Sequence, residues 1–207
     1  MKLVLASGNA GKLAELAALL APLGVEMVSQ AALGIAEADE PHVTFIENAL
    51  AKARYASRAA GGAAIADDSG LCVDALGGEP GVVSARFAQF AGCEASADAA
   101  ARDAANNALL LERMAGVADR RARFVSVLVA VRRADDPEPL VATGRWDGVL
   151  LHAPRGAGGF GYDPLLHIAA LDKSVAELDA ATKNCHSHRA IAAAQMLALM
   201  RDGWPRG

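Results

Sequence analysis

Apolar and polar positions in the first part of the chain predict short strands that alternate with helices. The apolar run at residues 2–6 predicts a strand that ends at a turn. Apolar residues between positions 13 and 20 recur at the spacing of one buried helix face, and this helix is predicted to end near Pro22. Residues 25–29 predict a second short strand.

The next segment predicts a capped helix followed by a strand. A threonine and, three residues later, a glutamate form a capping-box pattern, which predicts a helix over residues 44–60. Residues 63–66 predict a short buried strand. We expect this strand to end directly before Asp67 and Asp68.

The second half contains paired strands between two long helices. The near-continuous apolar run at 124–131 predicts a strand that is buried on both faces. The other predicted elements are a helix over 97–114, strands over 140–145 and 165–168, and a final helix over 187–201. Together these elements predict an α/β fold in which helices flank a mixed central sheet.

Composition bounds the class of protein. The chain has 207 residues, of which 53% are hydrophobic and 21% charged, and this indicates one globular domain over residues 1–207. The net charge of −4 argues against a broad face that binds a nucleic acid polymer. An anionic ligand would therefore need a local cluster of lysine and arginine.

The cysteines and the hydropathy pattern indicate a soluble protein of a reducing compartment. Cys72, Cys93 and Cys185 are far apart and form no CxxC motif, so we expect neither a disulfide framework nor a zinc site. No apolar run approaches the about 20 residues that span a membrane. We therefore expect a cytoplasmic protein without a membrane partner.

A glycine-containing turn precedes the first predicted helix. Glycines allow backbone N–H groups to approach phosphate oxygens, and a lysine at the start of the helix adds a full positive charge. The spacing differs from a Walker A loop, and an ordinary turn capped by Asn9 is the alternative. The segment consists of Ser7, Gly8, Asn9, Ala10, Gly11 and Lys12.

Two adjacent carboxylates, Asp67 and Asp68, follow a predicted strand. Ligands of α/β proteins bind at the carboxyl ends of strands, and buried carboxylates need a positive partner. Hard oxygen ligands of this kind suit Mg²⁺, which also meets substrate phosphates. The alternative is an aspartate-rich turn. Lys52, on one helix face with Thr44 and Asn48, either points towards a site or faces water.

Two further segments carry candidate binding groups. In the glycine-rich loop at 158–164, Phe160 either stacks on a purine ring or fills the core. At the start of the last helix, His188 and Arg189 lie where backbone N–H groups are free, and Lys183 precedes them. Either they form a donor-rich pocket, or Ser187 merely caps the helix.

In this order, the motifs resemble the inosine triphosphate pyrophosphatase family, whose members remove non-canonical purine nucleotides. The resemblance implies an elongated fold with two lobes, an active-site cleft between them, and a homodimer. It also implies cleavage of ITP, dITP or XTP to the monophosphate and pyrophosphate, with Mg²⁺ as cofactor. The matching segments are residues 7–12, 44–49, 66–71, 75–81, 84–86, 159–164 and 187–189.

The resemblance also implies a role for each matching residue. Asp68 would be the general base and a metal ligand, with Asp67 beside it and Glu40 as a second ligand. The residues that would bind the phosphates are Ser7, Gly8, Asn9, Ala10, Gly11, Lys12 and Lys52, and Ser69 would also contact the substrate. The residues that would bind the base are Phe160, Gly161, Tyr162, Asp163, Lys183, His188 and Arg189.

Two other functions fit parts of this pattern. Septum-inhibitor-type (Maf-like) pyrophosphatases share the chemistry but act on pyrimidine or modified nucleotides, and their arginines after a proline are missing from the segment at 7–12. A non-catalytic nucleotide sensor would use the same loops. Retention of Glu40, Asp67 and Asp68 weighs against a sensor, because a sensor has no need of the carboxylates.

Overall fold

The computed structural model describes residues 2–94, 96 and 98–204. Its strands are β1 Lys2–Leu5, β2 Glu26–Ser29, β3 Ala64–Val73, β4 Arg121–Val131, β5 Leu140–Leu150, β6 Leu166–Ile168 and β7 Lys173–Ser174. Its α-helices are α1 Ala10–Leu20, α2 Phe45–Ala60, α3 Phe87–Phe90, α4 Ala99–Arg113, α5 Ala180–His186 and α6 His188–Gly203. None of these described helices is both long and apolar enough to cross a membrane.

The described strands form one mixed sheet in the order β2-β1-β3-β4-β5-β6-β7. Strand β1 pairs in parallel with β2 and with β3. Strand β6 pairs antiparallel with β5 and with β7. The predicted α/β class, with a mixed sheet and flanking helices, is confirmed.

The chain divides into two compact units. Unit 1 comprises Met1–Asp68, Ser126–Arg145 and His186–Gly207, and unit 2 comprises Ser69–Val125 and Trp146–Cys185. Each unit has its own hydrophobic core of buried side chains. The cleft between lobes that the resemblance implies stays a prediction.

The core of unit 1 lies between strands and two helices that pack on each other. Helix α1 contacts α6 through the apolar face that its sequence periodicity predicts. Helix α1 ends where predicted, and Pro22 lies in a short 3₁₀ turn directly after it. The core side chains of this layer include Leu3, Leu5, Leu16, Leu20, Ile65, Leu128, Met196 and Met200.

Helix α2 has the predicted ends. The Thr44 hydroxyl accepts a hydrogen bond from the backbone N–H of Glu47 at 3.3 Å and donates one to the Glu47 carboxylate at 2.5 Å. At the other end, Gly61 adopts φ 65°, in the left-handed region that favours glycine, and its N–H bonds to Ser57. Local sequence alone therefore determines where this helix begins and ends.

Unit 2 contains elements that the hydrophobic pattern predicts and others that it misses. Helix α4 is confirmed, although its predicted first residue, Ala97, lies outside the described residues. The pattern misses α3 and α5, because neither is long enough to show a helical period. The core of this unit includes Leu71, Phe87, Leu110, Met114, Phe124, Trp146, Tyr162 and Leu165.

The prediction that the third strand ends before Asp67 is wrong. Strand β3 continues through both aspartates to Val73, and Asp67 and Asp68 are 1% and 4% exposed. Charged residues are depleted in buried strands, so sequence rules end the strand too early. The strand continues because cations from other elements compensate the two buried carboxylates.

Gly144 in β5 allows the first turn of α6 to approach the sheet closely. A Cβ atom at this position would lie 1.9 Å from the carbonyl oxygen of His188 and 2.7 Å from the backbone nitrogen of Ala192. Both atoms belong to the backbone, so neither can rotate away. Because Gly144 has no side chain, the residues at the start of α6 can lie against this strand.

Replacement of Gly144 by alanine is expected to lower the melting temperature of the protein. Overpacking costs about 1–3 kcal/mol, and each kcal/mol corresponds to about 2–4 °C in a chain of this size. Scanning calorimetry measures the change. Gly203→Ala is the matched control, because its Cβ would lie 3.6 Å from the Leu140 side chain, an ordinary contact. Equal melting temperatures of Gly144→Ala and wild type would contradict the close approach of α6 to Gly144.

Candidate active site

The predicted phosphate loop connects β1 to α1 in unit 1. The side chain of Asn9 caps α1 by accepting a hydrogen bond from the N–H of Lys12 at 3.0 Å. The Gly8 N–H donates to a carboxylate oxygen of Glu37 at 3.1 Å. A carboxylate oxygen therefore already binds one of the amides that were predicted to bind phosphate. This supports the anion-binding character of the amide.

Asp67 is held by cations from two helices. Its Oδ2 atom lies 2.8 Å from Nζ of Lys12 in α1 and 3.4 Å from Nε of Arg189 in α6. Its Oδ1 atom accepts a hydrogen bond from the Ser126 hydroxyl at 2.7 Å. The Arg189 guanidinium also pairs with Glu15 in α1. We call this set, Lys12, Glu15, Asp67, Ser126 and Arg189, the Asp67 cluster.

The Asp67 cluster keeps its central carboxylate ionised. Burial by itself would raise the pKa of Asp67, but the charges of Lys12 and Arg189 outweigh burial and hold this pKa well below its ordinary value. Two cations face the carboxylates of Asp67 and Glu15, so the formal charges cancel. The cluster is thus a compensated network that ties α1 and α6 to β3.

Asp68 faces a different cation, because successive side chains of a strand point to opposite faces. Its Oδ1 atom lies 2.8 Å from Nζ of Lys52 in α2. The same ammonium lies 2.7 Å from Oε1 of Glu40 and 3.0 Å from the backbone oxygen of Asp67. We call Glu40, Lys52 and Asp68 the Asp68 cluster.

Helix α2 fixes the segment that carries Glu40. The Asn48 side chain, which is fully buried, accepts a hydrogen bond from the His42 N–H at 3.0 Å and donates one to the His42 carbonyl at 3.1 Å. Asn48 and Lys52 lie one helical turn apart on the same face. Of the polar stripe on α2, Asn48 and Lys52 are therefore buried at the site, whereas Thr44 is exposed.

The Lys52 ammonium lies between the carboxylates of Asp68 and Glu40. Burial raises the pKa of Asp68 above its ordinary value, although Lys52 opposes this shift. Burial would lower the pKa of Lys52, but Asp68 and Glu40 outweigh it, so its pKa is raised and the ammonium stays charged. Lys52 thus bonds to both carboxylates, and the charge of Lys12 also opposes the raised pKa of Asp68.

The Asp68 cluster offers an oxygen that suits a metal ion. Oδ2 of Asp68 is buried and has no hydrogen-bond partner among the described residues. Carboxylate oxygens are the hard ligands that Mg²⁺ prefers. In the part of the chain that the structure describes, no group of three or more His, Cys, Asp or Glu side chains is placed to hold a metal.

The start of α6 is buried in unit 1. Ser187 caps the helix by accepting a hydrogen bond from the Ala190 N–H at 3.2 Å. His188 and Arg189 are 4% and 3% exposed. The structure brings Arg189 into the Asp67 cluster, and its predicted contact with the base stays a prediction.

The predicted base-binding loop lies in unit 2. Lys183 in α5 places its ammonium 2.9 Å from Oδ2 of Asp163 and 4.7 Å from the ring centre of Phe160. The same Asp163 oxygen accepts a hydrogen bond from the Phe160 N–H at 3.0 Å. A Cβ atom on Gly159 would lie 2.0 Å from this oxygen. The loop is therefore closed around the Asp163 carboxylate.

Tyr162 has a structural position within the same loop. Its hydroxyl donates a hydrogen bond to the backbone oxygen of Ser84 at 2.9 Å, and burial raises its pKa. The ring belongs to the core of unit 2, whereas Phe160 is only half-buried. Ser69, also in unit 2, is half-buried in β3. Of the two aromatic residues in the loop, Phe160 is the one with an accessible ring.

Sequence reasoning missed several residues of these clusters. Glu15 lies one helical turn after Lys12, a spacing that places both side chains on one face of α1. Ser126 is the one polar residue within the apolar run at 124–131, which is a signal that sequence reasoning could have used. Asp103 and Asn107, which bond to Gly161, carry no local signal.

Comparisons with known proteins identify relatives along the whole chain. A dITP/XTP pyrophosphatase from Leptothrix cholodnii is 67% identical over 209 residues, which cover 99% of each chain. A second dITP/XTP pyrophosphatase, from Methylibium petroleiphilum, is 64% identical over 206 residues and also covers 99% of each chain.

Solved structures and a family model give the same result. The structure of a HAM1 protein from Coxiella burnetii matches with a TM-score of 0.87 at 38% identity, covering 98% of this chain and 100% of that one. The model of the Ham1 family matches residues 3–199. The resemblance to the inosine triphosphate pyrophosphatase family is thereby confirmed, and the chain belongs to the Ham1 family.

Proposed function

We propose that the protein hydrolyses ITP, dITP and XTP to the monophosphate and pyrophosphate, and so removes non-canonical purine nucleotides from the nucleotide pool. The observation that carries the proposal is the Asp68 cluster, in which a buried carboxylate retains an oxygen available to a ligand. Full-length relatives that are dITP/XTP pyrophosphatases support the substrate class.

The proposed reaction is attack of water on the α-phosphorus, with pyrophosphate as the leaving group. Asp68 accepts the proton of the attacking water, and burial favours this role because it raises the pKa of the carboxyl. Lys12 and the loop amides bind the phosphates that leave, and Lys52 adds a second ammonium. Negative charge that grows on pyrophosphate is thereby stabilised.

Asp68 and Glu40 are the residues that would hold Mg²⁺. Bound there, the metal would supply positive charge to the phosphates and would help to position or acidify the attacking water. Asp67 is a poorer candidate for a ligand, because Ser126, Lys12 and Arg189 already occupy both of its oxygens. Asp67 instead holds Lys12 at the end of the phosphate loop.

The loop around Phe160 binds the base in this proposal. A half-buried ring beside an ammonium offers a stacking surface, and Lys183 offers a hydrogen-bond donor. Hypoxanthine and xanthine carry an acceptor oxygen at position 6, whereas adenine carries a donor amino group there. The Lys183 donor would pair with this oxygen and would leave adenine unpaired.

Two alternative functions are weaker. A Maf-like enzyme that acts on pyrimidine or modified nucleotides is not favoured, because the relatives are dITP/XTP pyrophosphatases. A non-catalytic sensor would have no use for the buried, unbonded Oδ2 of Asp68. The nucleotide assay described below separates both alternatives from the proposed function.

We also propose that the protein works as a homodimer in the cytoplasm. Cys93 and Cys185 are exposed thiols, a state that a reducing compartment maintains. The family resemblance supports the dimer. Light scattering coupled to size exclusion should give about twice the chain mass of 21.2 kDa, and a mass equal to one chain would contradict the dimer.

The purified protein is expected to release pyrophosphate from ITP and XTP in the presence of Mg²⁺ and to lose this activity in excess chelator. The ratio of kcat/KM for ITP to that for ATP can reach about 10⁴, because a mispaired buried donor is costly. In water labelled with a heavy oxygen isotope, the label should enter IMP. Label in pyrophosphate would contradict attack at the α-phosphorus. Similar efficiencies for ITP, ATP and dTTP would contradict the proposed selectivity.

Asp68→Asn is expected to lower kcat for ITP by about 10²–10⁴, the usual contribution of a general base, while nucleotide binding is retained. Stopped assays of pyrophosphate and equilibrium binding measure the two effects. Asp202→Asn makes the same chemical change at an exposed position in α6 and should behave as wild type. Turnover of Asp68→Asn within about tenfold of wild type would rule out a base at Asp68.

A further inference from the structure

Helix α4 holds both peptide groups of one residue in the loop around Phe160. The Gly161 N–H donates a hydrogen bond to Oδ2 of Asp103 at 2.6 Å. The Gly161 carbonyl accepts one from Nδ2 of Asn107 at 3.0 Å. Asp103 and Asn107 are four residues apart, so their side chains share one face of α4. We call this pair of hydrogen bonds the Gly161 clamp.

The helix that carries the clamp is itself firmly fixed. Asn106, next to Asn107, is buried; it accepts a hydrogen bond from the Ala88 N–H at 2.8 Å and donates one to the Ala85 carbonyl at 3.3 Å. On the same helix, Leu110 is fully buried in the core of unit 2. The clamp thus connects the loop to a helix that is packed in the core of unit 2.

The Gly161 clamp acts on the backbone next to Phe160, and the backbone sets the direction of the Phe160 side chain. Gly161 adopts φ 62°, a left-handed conformation in which its two peptide groups can face one helix. Phe160 is the preceding residue, and its N–H is bound by Asp163. The backbone that carries the Phe160 ring is thus hydrogen-bonded on both sides of the residue.

Solvent could satisfy the Gly161 peptide groups without the help of α4. Gly161 is only half-buried, and a half-buried N–H or carbonyl group has access to water. Asp103 and Asn107, one turn apart on α4, hold the turn at Gly161 in one position relative to the helix. Water molecules that bond to the same groups would not do this. This suggests a positioning function for the clamp rather than mere satisfaction of polar groups.

We propose that Asp103 and Asn107 are positioning residues for nucleotide recognition, which hold the Phe160 ring in the orientation that stacks on the purine base. The inference rests on the proposed function. Neither residue touches the base. Their hydrogen bonds order the glycine-rich loop before the nucleotide binds. Binding then costs less conformational entropy of the loop, and the affinity for the base is higher.

The test compares Asp103→Ala and Asn107→Ala with wild type. We expect each variant to raise KM for ITP about tenfold, which corresponds to about 1.4 kcal/mol, with kcat within about twofold. Because KM is not always a dissociation constant, calorimetric titration should measure the affinities for IMP and for pyrophosphate. Affinity for IMP should fall about tenfold, whereas affinity for pyrophosphate, which lacks the base, should stay unchanged.

Control variants separate positioning from general loss of stability. Glu112→Ala removes an exposed carboxylate from the last turn of α4 and should leave both affinities unchanged. Asp103→Asn keeps an acceptor oxygen for the Gly161 N–H and should recover most of the affinity for IMP. Hydrogen exchange of the peptide that contains Gly161 should be faster in Asp103→Ala than in wild type or in Glu112→Ala.

Three results would overturn the inference. The first is an unchanged affinity for IMP in both alanine variants of an active enzyme. The second is an equal loss of affinity for IMP and for pyrophosphate, which would indicate general destabilisation. The third is failure of Asp103→Asn to recover affinity, and this conservative variant also decides the matter if an alanine variant does not fold. A wild-type protein that releases no pyrophosphate from ITP would instead refute the proposed function itself.

Discussion

The arrangement of unit 1 depends on the burial of two adjacent carboxylates in β3. A buried carboxylate without a positive partner costs several kcal/mol, so each aspartate must be compensated. Because successive side chains of a strand point to opposite faces, each carboxylate forms its salt bridges on its own face. Asp67 therefore meets Lys12 and Arg189, and Asp68 meets Lys52. Helices α1, α6 and α2 each supply one of these cations to the same strand.

The two carboxylates differ in how completely their oxygens are bonded. This difference indicates a structural role for Asp67 and a chemical role for Asp68. The Asp67 cluster has no formal net charge, and a satisfied buried network of this kind makes the structure rigid and specific. In the Asp68 cluster, Lys52 bonds to one oxygen of Asp68, whereas Oδ2 is buried and has no hydrogen-bond partner among the described residues. A buried polar atom without a partner is costly, and a metal ion bound to it would relieve that cost.

The sequence predicts those features that depend on neighbouring residues. The ends of α2 follow from Thr44, Glu47 and Gly61, which act within a few residues of one another. The length of β3 could not be predicted, because its compensation comes from far away: Arg189 is 122 positions from Asp67. The residues of the site could be named from the motifs because the motifs resemble a known family. The pairing of each carboxylate with its cation depends on tertiary structure, and local sequence patterns do not predict it.

The loop around Phe160 shows the same dependence on distant residues. Its glycines allow the chain to turn tightly, but they also leave an isolated loop with many conformations and hence a high entropic cost of ordering. Lys183 and Asp103, which lie 20 and 58 positions from their partners in the loop, restrict it in the folded protein. Folding of unit 2 has therefore already ordered the loop. A ligand that binds to it gains its contact energy without that entropic loss, so residues remote from the ligand can determine its affinity.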